Sequence, residues 1–184
     1  LLQASLEDEI TIEQKRLVLM VDDYDSYKLK IPGSHELNTL FWNYQGDRLA
    51  RFNLEFRDGF AGFNEQQKNI ISFYKRKIQR VIGDLTVFDA NLPIDGTPYK
   101  FVSTMATECI NDVAHHIIES SGADIGIVVN TNSNKVSFRK DKKCPVNLSE
   151  LAKRLTNGGG HTGAAGGTIT ETFLSFTKMF AERK

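Results

Sequence analysis

The chain has 184 residues, 40% of them hydrophobic and 25% charged, a globular mixture that excludes a disordered chain and leaves room for one ordinary domain or two small ones. Lys plus Arg number 23 and Asp plus Glu number 23. A net charge of zero excludes a basic body that grips long nucleic acid by charge alone, though not a local basic pocket. Two cysteines, Cys109 and Cys144, are too few for a disulfide framework and lack the paired spacing of a zinc site, which implies a reduced, cytoplasmic setting. No apolar run approaches the roughly 18 residues of a membrane span.

The chain opens Leu1-Leu2-Gln3 without Met and reads as a piece of something longer; Glu7, Asp8 and Glu9 argue against a signal peptide. Leu1 to Leu6 carry apolar residues on a helical period. Leu17 to Val21 is a continuous apolar run, read as a strand buried on both faces and bounded by Asp22-Asp23-Tyr24-Asp25. Ile31-Pro32-Gly33 breaks the pattern. Leu37, Leu40, Phe41 and Tyr44 then form one helical stripe. An aromatic stretch follows through Phe52, Phe56, Phe60 and Phe63, and a third segment places Ile70, Ile71, Tyr74, Ile78, Val81 and Ile82 on one face. Residues 34–83 read as a mostly helical connector.

Asn91-Leu92-Pro93 and Asp95-Gly96-Thr97-Pro98 form the clearest loop, and a domain boundary is placed there. Tyr99 to Val102 reads as a strand. Ala106 through Ile118 form a helix that Gly122 stops. Ile125–Val129 and Lys135–Arg139 make a hairpin across residues 130–134. Leu148 to Leu155 is a short helix with Asn147 as N-cap and Glu150 in a capping-box position. Thr168 to Thr170 reads as a strand, followed by a terminal helix to Lys184.

The most informative stretch is the ten residues from Gly158 to Gly167, which are nearly all Gly and Ala around His161 and Thr162. Glycine costs conformational entropy, so such a run needs a backbone that comes close to something. Without side chains, successive N–H groups can converge on an anion, and His161 adds a donor. The alternative is a hinge or a tight crossover. Gly158, Gly160 and Gly163 spell G-x-G-x-x-G, but the element before them reads as a helix, not the strand a dinucleotide fingerprint requires. A P-loop needs Lys-Ser/Thr where Ala164-Ala165 stands. In the strand Val136 to Arg139, Ser137 and Arg139 share the face opposite Val136 and Phe138. If that face looks at the glycine run, Arg139 can hold a phosphate or base in bidentate fashion; otherwise it is a solvated arginine.

The segment from about Tyr99 to Gly167 resembles the DHHA1 domain of DHH-family phosphoesterases. The resemblance is carried by Asn111-Asp112-Val113-Ala114-His115-His116, by Val136-Ser137-Phe138-Arg139, and by Leu151-Ala152 leading into Gly158-Gly159-Gly160-His161-Thr162-Gly163-Ala164-Ala165-Gly166. Upstream, Val21 to Asp25 resembles the last acidic motif of the DHH domain in oligoribonuclease-like members. The resemblance implies an α/β fold of α+β character, with three parts. Residues 1–30 would be the end of a DHH-like catalytic domain, 31–97 a mostly helical connector, and 98–184 a mixed-sheet, DHHA1-like substrate-binding domain. It also implies two Mn²⁺ ions in the complete enzyme and hydrolysis of short oligonucleotides or (cyclic) dinucleotides; a homodimer is compatible with it. By the same resemblance, Gly158, Gly159, Gly160 and His161 would hold a substrate phosphate and Arg139 would contact substrate. Asp22 would be the last metal ligand, with Asp23 the alternative.

No Asp-His-His occurs in the chain. His115-His116 lies inside a helical pattern, where neighbours point about 100° apart, so one His is expected partly buried and one exposed. The expectation is therefore a chain that binds but does not hydrolyse. A non-catalytic nucleotide- or RNA-binding module is the alternative. An interaction protein is a third reading, which exposed phenylalanines in residues 52–63 would favour.

Overall fold

The computed structural model describes residues 10–26 and 28–182. The period over residues 1–6, the acidic residues 7–9 and the final Lys184 lie outside them. The chain forms two compact units, residues 1–76 and 77–184.

The first unit is helical: α1 (Ile12–Asp25), α2 (Ser34–Asn43), α3 (Arg48–Glu55) and the first part of α4 (Glu65–Gly83). The strand expected at residues 17–21 is instead the middle of α1. Its start is set by a capping box, in which the Thr11 hydroxyl accepts from the Gln14 N–H and the Gln14 side chain accepts from the Thr11 N–H. The apolar run is not a buried strand either: Val18 is 66% and Leu19 57% exposed, and only Met20 is fully buried. The stripe on α2 behaves as expected, with Leu37 and Leu40 buried and Tyr44 buried at its C-cap. Phe52, Phe56, Phe60 and Phe63 form a chain of ring contacts with centroids 4.8 to 6.0 Å apart. Phe56 and Phe60 are buried and the other two half-buried, so these rings are the core of the unit and not a docking surface.

The second unit is built on a seven-stranded sheet: β1 (Val87–Ile94), β2 (Thr97–Met105), β3 (Ile125–Asn130), β4 (Lys135–Lys140), β5 (Gly159–Gly160), β6 (Ala164–Thr168) and β7 (Ala181–Glu182), in the spatial order β5-β6-β4-β3-β2-β1-β7. Only β2 and β3 run parallel, joined by α5 (Ile110–Ser121); the other pairs are antiparallel. The helix α5 packs on one face through Val113, Ala114, Ile117 and Ile118 against Val102 and Val128. The opposite face carries Phe101, Ile125, Ile127, Val136 and Phe138 against Leu148 and Leu151 of α6 (Leu148–Leu155) and Phe173 of α7 (Glu171–Thr177). Two covered faces explain the unbroken buried runs Phe101–Thr104 and Ile125–Val128.

Three expectations change here. Asp95-Gly96 is not an open loop. Positive φ at both residues (49° and 83°) makes it the tight turn of the β1–β2 hairpin, the commonest use of Asp-Gly. The strand expected at 168–170 ends at Thr168, because the Thr170 hydroxyl caps α7 by accepting from the Phe173 N–H. The terminal helix stops at Thr177, and residues 181–182 return as β7 beside β1. Elsewhere the local signals hold: Gly122 ends α5 in the left-handed conformation, and Asn147 caps α6. Glu150 accepts from the Asn147 side-chain amide, not its backbone. Neither cysteine takes part in a disulfide. No helix among the described residues is long and apolar enough to cross a membrane.

Candidate functional site

The glycine run is a hairpin, not a loop. Gly159 pairs with Gly166 and Gly160 with Ala165. The hairpin closes where the His161 N–H donates to the Ala164 carbonyl at 2.8 Å and the Ala164 N–H returns to His161 at 3.3 Å. The Leu148 N–H donates to the Thr162 carbonyl at 3.1 Å, tying the turn to the start of α6.

The glycines have a steric cause. A Cβ on Gly158 would lie 2.0 Å from the Gly166 carbonyl oxygen and 2.5 Å from the Gly167 Cα. A Cβ on Gly167 would lie 2.1 Å from the Thr156 hydroxyl. What the backbone must approach closely is first of all itself. Gly163, at the turn, has nothing within 4 Å of where its Cβ would be.

The sheet register then brings the expected residues together. Arg139 on β4 pairs with Ala164 on β6, and Ala164 closes the hairpin with His161. Residues directly opposite in antiparallel pairs share a face, so Ala164 and Arg139 do, and the turn that begins at His161 lies beside them. This is the face that carries α5, since Arg139 also pairs with Gly126, whose absent Cβ would meet Ile118 and the Ala114 carbonyl. His161 is exposed, Ala164 and Arg139 half-buried. Gly160, just before this closing pair, has a positive φ of 148° and belongs to the two-residue edge strand β5. The register thus sets the Ala164 methyl group between the backbone of His161 and Arg139.

The guanidinium is held at both terminal nitrogens. Arg139 Nη1 donates to the Phe138 carbonyl at 2.8 Å and Nη2 to Asn111 Oδ1 at 2.6 Å. Asn111 stands in the first turn of α5. Sequence reasoning places it within a motif but assigns it no role. On the same helix His115 is half-buried and His116 exposed.

In the first unit, Asp22 and Asp23 differ. Asp22 is exposed and its Oδ2 pairs with Lys28 Nζ at 2.9 Å. Asp23 is buried, and its carboxylate accepts from the N–H groups of Lys30 and Ile31 and from the Ser34 hydroxyl at 2.7 Å. Burial alone would raise the Asp23 carboxyl. The hydrogen bonds from Ser34, Lys30 and Ile31, with the charge of Lys28, outweigh it and hold Asp23 below the ordinary value. Asp23 thus staples the loop between α1 and α2. Among the described residues, no three His, Cys, Asp or Glu side chains come together in a way that could hold a metal ion. The donor set for a two-metal centre does not fit within them.

The comparison with known families decides the second unit: the model of the DHHA1 domain matches residues 99–183. The match covers a little under half of the chain and most of its second unit. It contains Arg139, His161 and Ala164, while β1 precedes it. Among solved structures, the chain is similar to the pGpG-specific phosphodiesterase PggH from Vibrio cholerae, at 15% identity and a TM-score of 0.57, covering 93% of this chain and 66% of that one. It is also similar to exonuclease RecJ bound to manganese, at 16% identity and a TM-score of 0.44, over 90% of this chain and 44% of that one. RecJ from Thermus thermophilus in complex with Mg²⁺ matches at 15% identity and a TM-score of 0.43, over 89% of this chain and 27% of that one. The likeness to PggH shows a shared fold, and the chain spans less than two thirds of that protein's length. A search of curated protein sequences finds no match.

Proposed function

We propose that this chain is the substrate-binding part of a metal-dependent phosphodiesterase of the DHH family that acts on short oligonucleotides or dinucleotides. The observation that carries the reading is the pairing of Arg139 with Ala164, and of Ala164 with His161, at the glycine hairpin on the sheet margin. On this reading His161 and Arg139 are two side-chain donors flanking a small residue, and both suit a phosphate oxygen. The DHHA1 match supports the family. The shared fold with a phosphodiesterase named for pGpG makes a linear dinucleotide the natural first ligand. On this reading the chain binds, and hydrolysis requires metal ligands, expected to hold Mn²⁺, that the described residues do not assemble.

The test is calorimetric titration of the chain with pGpG, alongside the variants His161→Ala and Arg139→Ala. Saturable binding that both variants weaken supports the site. Binding unchanged in both variants removes it. Incubation of pGpG with the chain and Mn²⁺ should release no mononucleotide, and turnover would contradict the division of labour.

A second reading, a binding module with no chemistry, is favoured by Asp23, whose carboxylate is spent on a loop. The two readings part on a longer protein supplied with Mn²⁺: mononucleotide release supports the first, and binding without turnover the second.

A further inference from the structure

We infer that Asn111 is a positioning residue of the anion site, one that fixes the Arg139 guanidinium while adding no charge of its own. The inference rests on the reading of Arg139 as a phosphate contact and goes beyond it to a second residue and a reason for its side-chain type.

The geometry is specific. An arginine side chain is long and rotamer-rich, so placing its planar fork costs entropy unless the fork is anchored beforehand. Arg139 is anchored at both terminal nitrogens, by the Phe138 carbonyl on its own strand and by Asn111 Oδ1 from a helix 28 residues away in sequence. Two bonds in the plane of the guanidinium fix both its position and its tilt. The second anchor is only as good as the helix beneath it. Ala114, one turn after Asn111, and Ile118 press on the sheet where Gly126 leaves no room for a methyl group: a Cβ there would meet Ile118 at 2.7 Å and the Ala114 carbonyl at 3.2 Å. Gly126 is the cross-strand partner of Arg139. The helix that carries Asn111 is therefore seated directly beside the residue that Asn111 holds.

The side-chain type follows from the ligand. An aspartate at 111 could accept the same hydrogen bond, more strongly, since charge-assisted bonds to guanidinium are the strong ones. It would also place a negative charge within a few ångströms of an incoming phosphate and offset the attraction of Arg139. An amide oxygen orients the guanidinium at no such cost. If the contact served only to brace α5 against β4, the aspartate would do as well or better. If it serves anion binding, the aspartate should be harmful.

The experiment uses the chain with Asn111→Asp, Asn111→Ala, Arg139→Ala and the unaltered protein. Each is titrated with pGpG at two salt concentrations, and each melting temperature is measured. The expected result is that Asn111→Asp keeps the melting temperature yet weakens pGpG binding by about tenfold at low salt, with a smaller loss at high salt. Asn111→Ala should weaken binding by about three- to twentyfold. Wild-type affinity in a folded Asn111→Asp protein overturns the inference. If Arg139→Ala loses binding while both Asn111 variants keep it, the phosphate site stands and the positioning role falls. If Arg139→Ala binds as well as the unaltered chain, or the unaltered chain binds no pGpG, the underlying reading falls and this inference with it. Should Asn111→Asp melt early, Asn111→Ser supplies a neutral control, expected to bind better than Asn111→Ala; equal or weaker binding counts against the proposal.

Discussion

Gly158→Ala tests the claim that the glycine run is built by close backbone approach. The added methyl would lie 2.0 Å from the Gly166 carbonyl oxygen, where ordinary contact begins at 3.4 Å. The obstructing atoms are backbone, so no side chain can swing aside. The strand must retreat by more than 1 Å, stretching the bonds of 2.8 and 3.3 Å that close the hairpin. Overpacking of this kind costs ~1–3 kcal/mol and each weakened hydrogen bond about 1 more, so ~3 kcal/mol is expected. For a domain of about 100 residues that lowers the melting temperature by about 12 °C or more. Gly163→Ala is the matched control: nothing lies within 4 Å of its Cβ position, so it should be neutral or stabilising by up to about 1 kcal/mol. The assay is urea unfolding followed by far-ultraviolet circular dichroism. Tryptophan fluorescence is the wrong probe, because the single tryptophan, Trp42, belongs to the first unit. A Gly158→Ala protein within 1 kcal/mol of wild type, or a Gly163→Ala protein that loses more, would refute the steric account and return the run to a mobile connection.

Three further outcomes follow from the same geometry. Ala164→Leu should leave the melting temperature within a few degrees of wild type but weaken pGpG binding at least about tenfold, because the half-buried methyl lies between the backbone of His161 and Arg139; calorimetry reads it directly. Glu55 accepts from the hydroxyl of buried Tyr44 at 2.5 Å, from Gln67 at 2.7 Å and from Arg51 at 2.8 Å; Glu55→Ala removes the acceptor these three share and should destabilise the first unit by about 1–2 kcal/mol, seen in the unfolding of Trp42 fluorescence. Because the Asp23 carboxyl titrates below its ordinary value of 3.8, its stabilisation is complete above that pH and disappears as the pH falls through the lowered folded-state value. Asp23→Asn should thus melt earlier than wild type at pH 7, and the gap should close in acid.

The parts legible in the sequence are those whose signals are local. The α5 stripe ends on a glycine that can adopt the left-handed conformation, and in the β3–β4 hairpin an apolar run and an alternating strand flank a polar turn. Five apolar residues at 17–21 fit a strand or a helix equally. What decides is Thr11 and Gln14, whose capping box lies a full turn upstream. Strand β7 has no local signal, because it exists through pairing with Phe88 and Asp89, more than 90 residues earlier. The glycine run marked the site by composition, yet its cause lies in pairings with Gly166 and Gly167. Asn111 was silent, because an asparagine early in a helix is commonplace until its partner across the sheet is known.

Among the described residues, both margins of the large sheet are strands of two residues, β5 and β7. A margin that short gives a foreign chain almost no ladder to extend, and the bend of the glycine hairpin spoils it further. On the proposed reading, the construction that puts the glycine hairpin at the margin for a small ligand also leaves little regular strand there for edge-to-edge stacking. Lengthening β5 into a regular strand would trade away that protection.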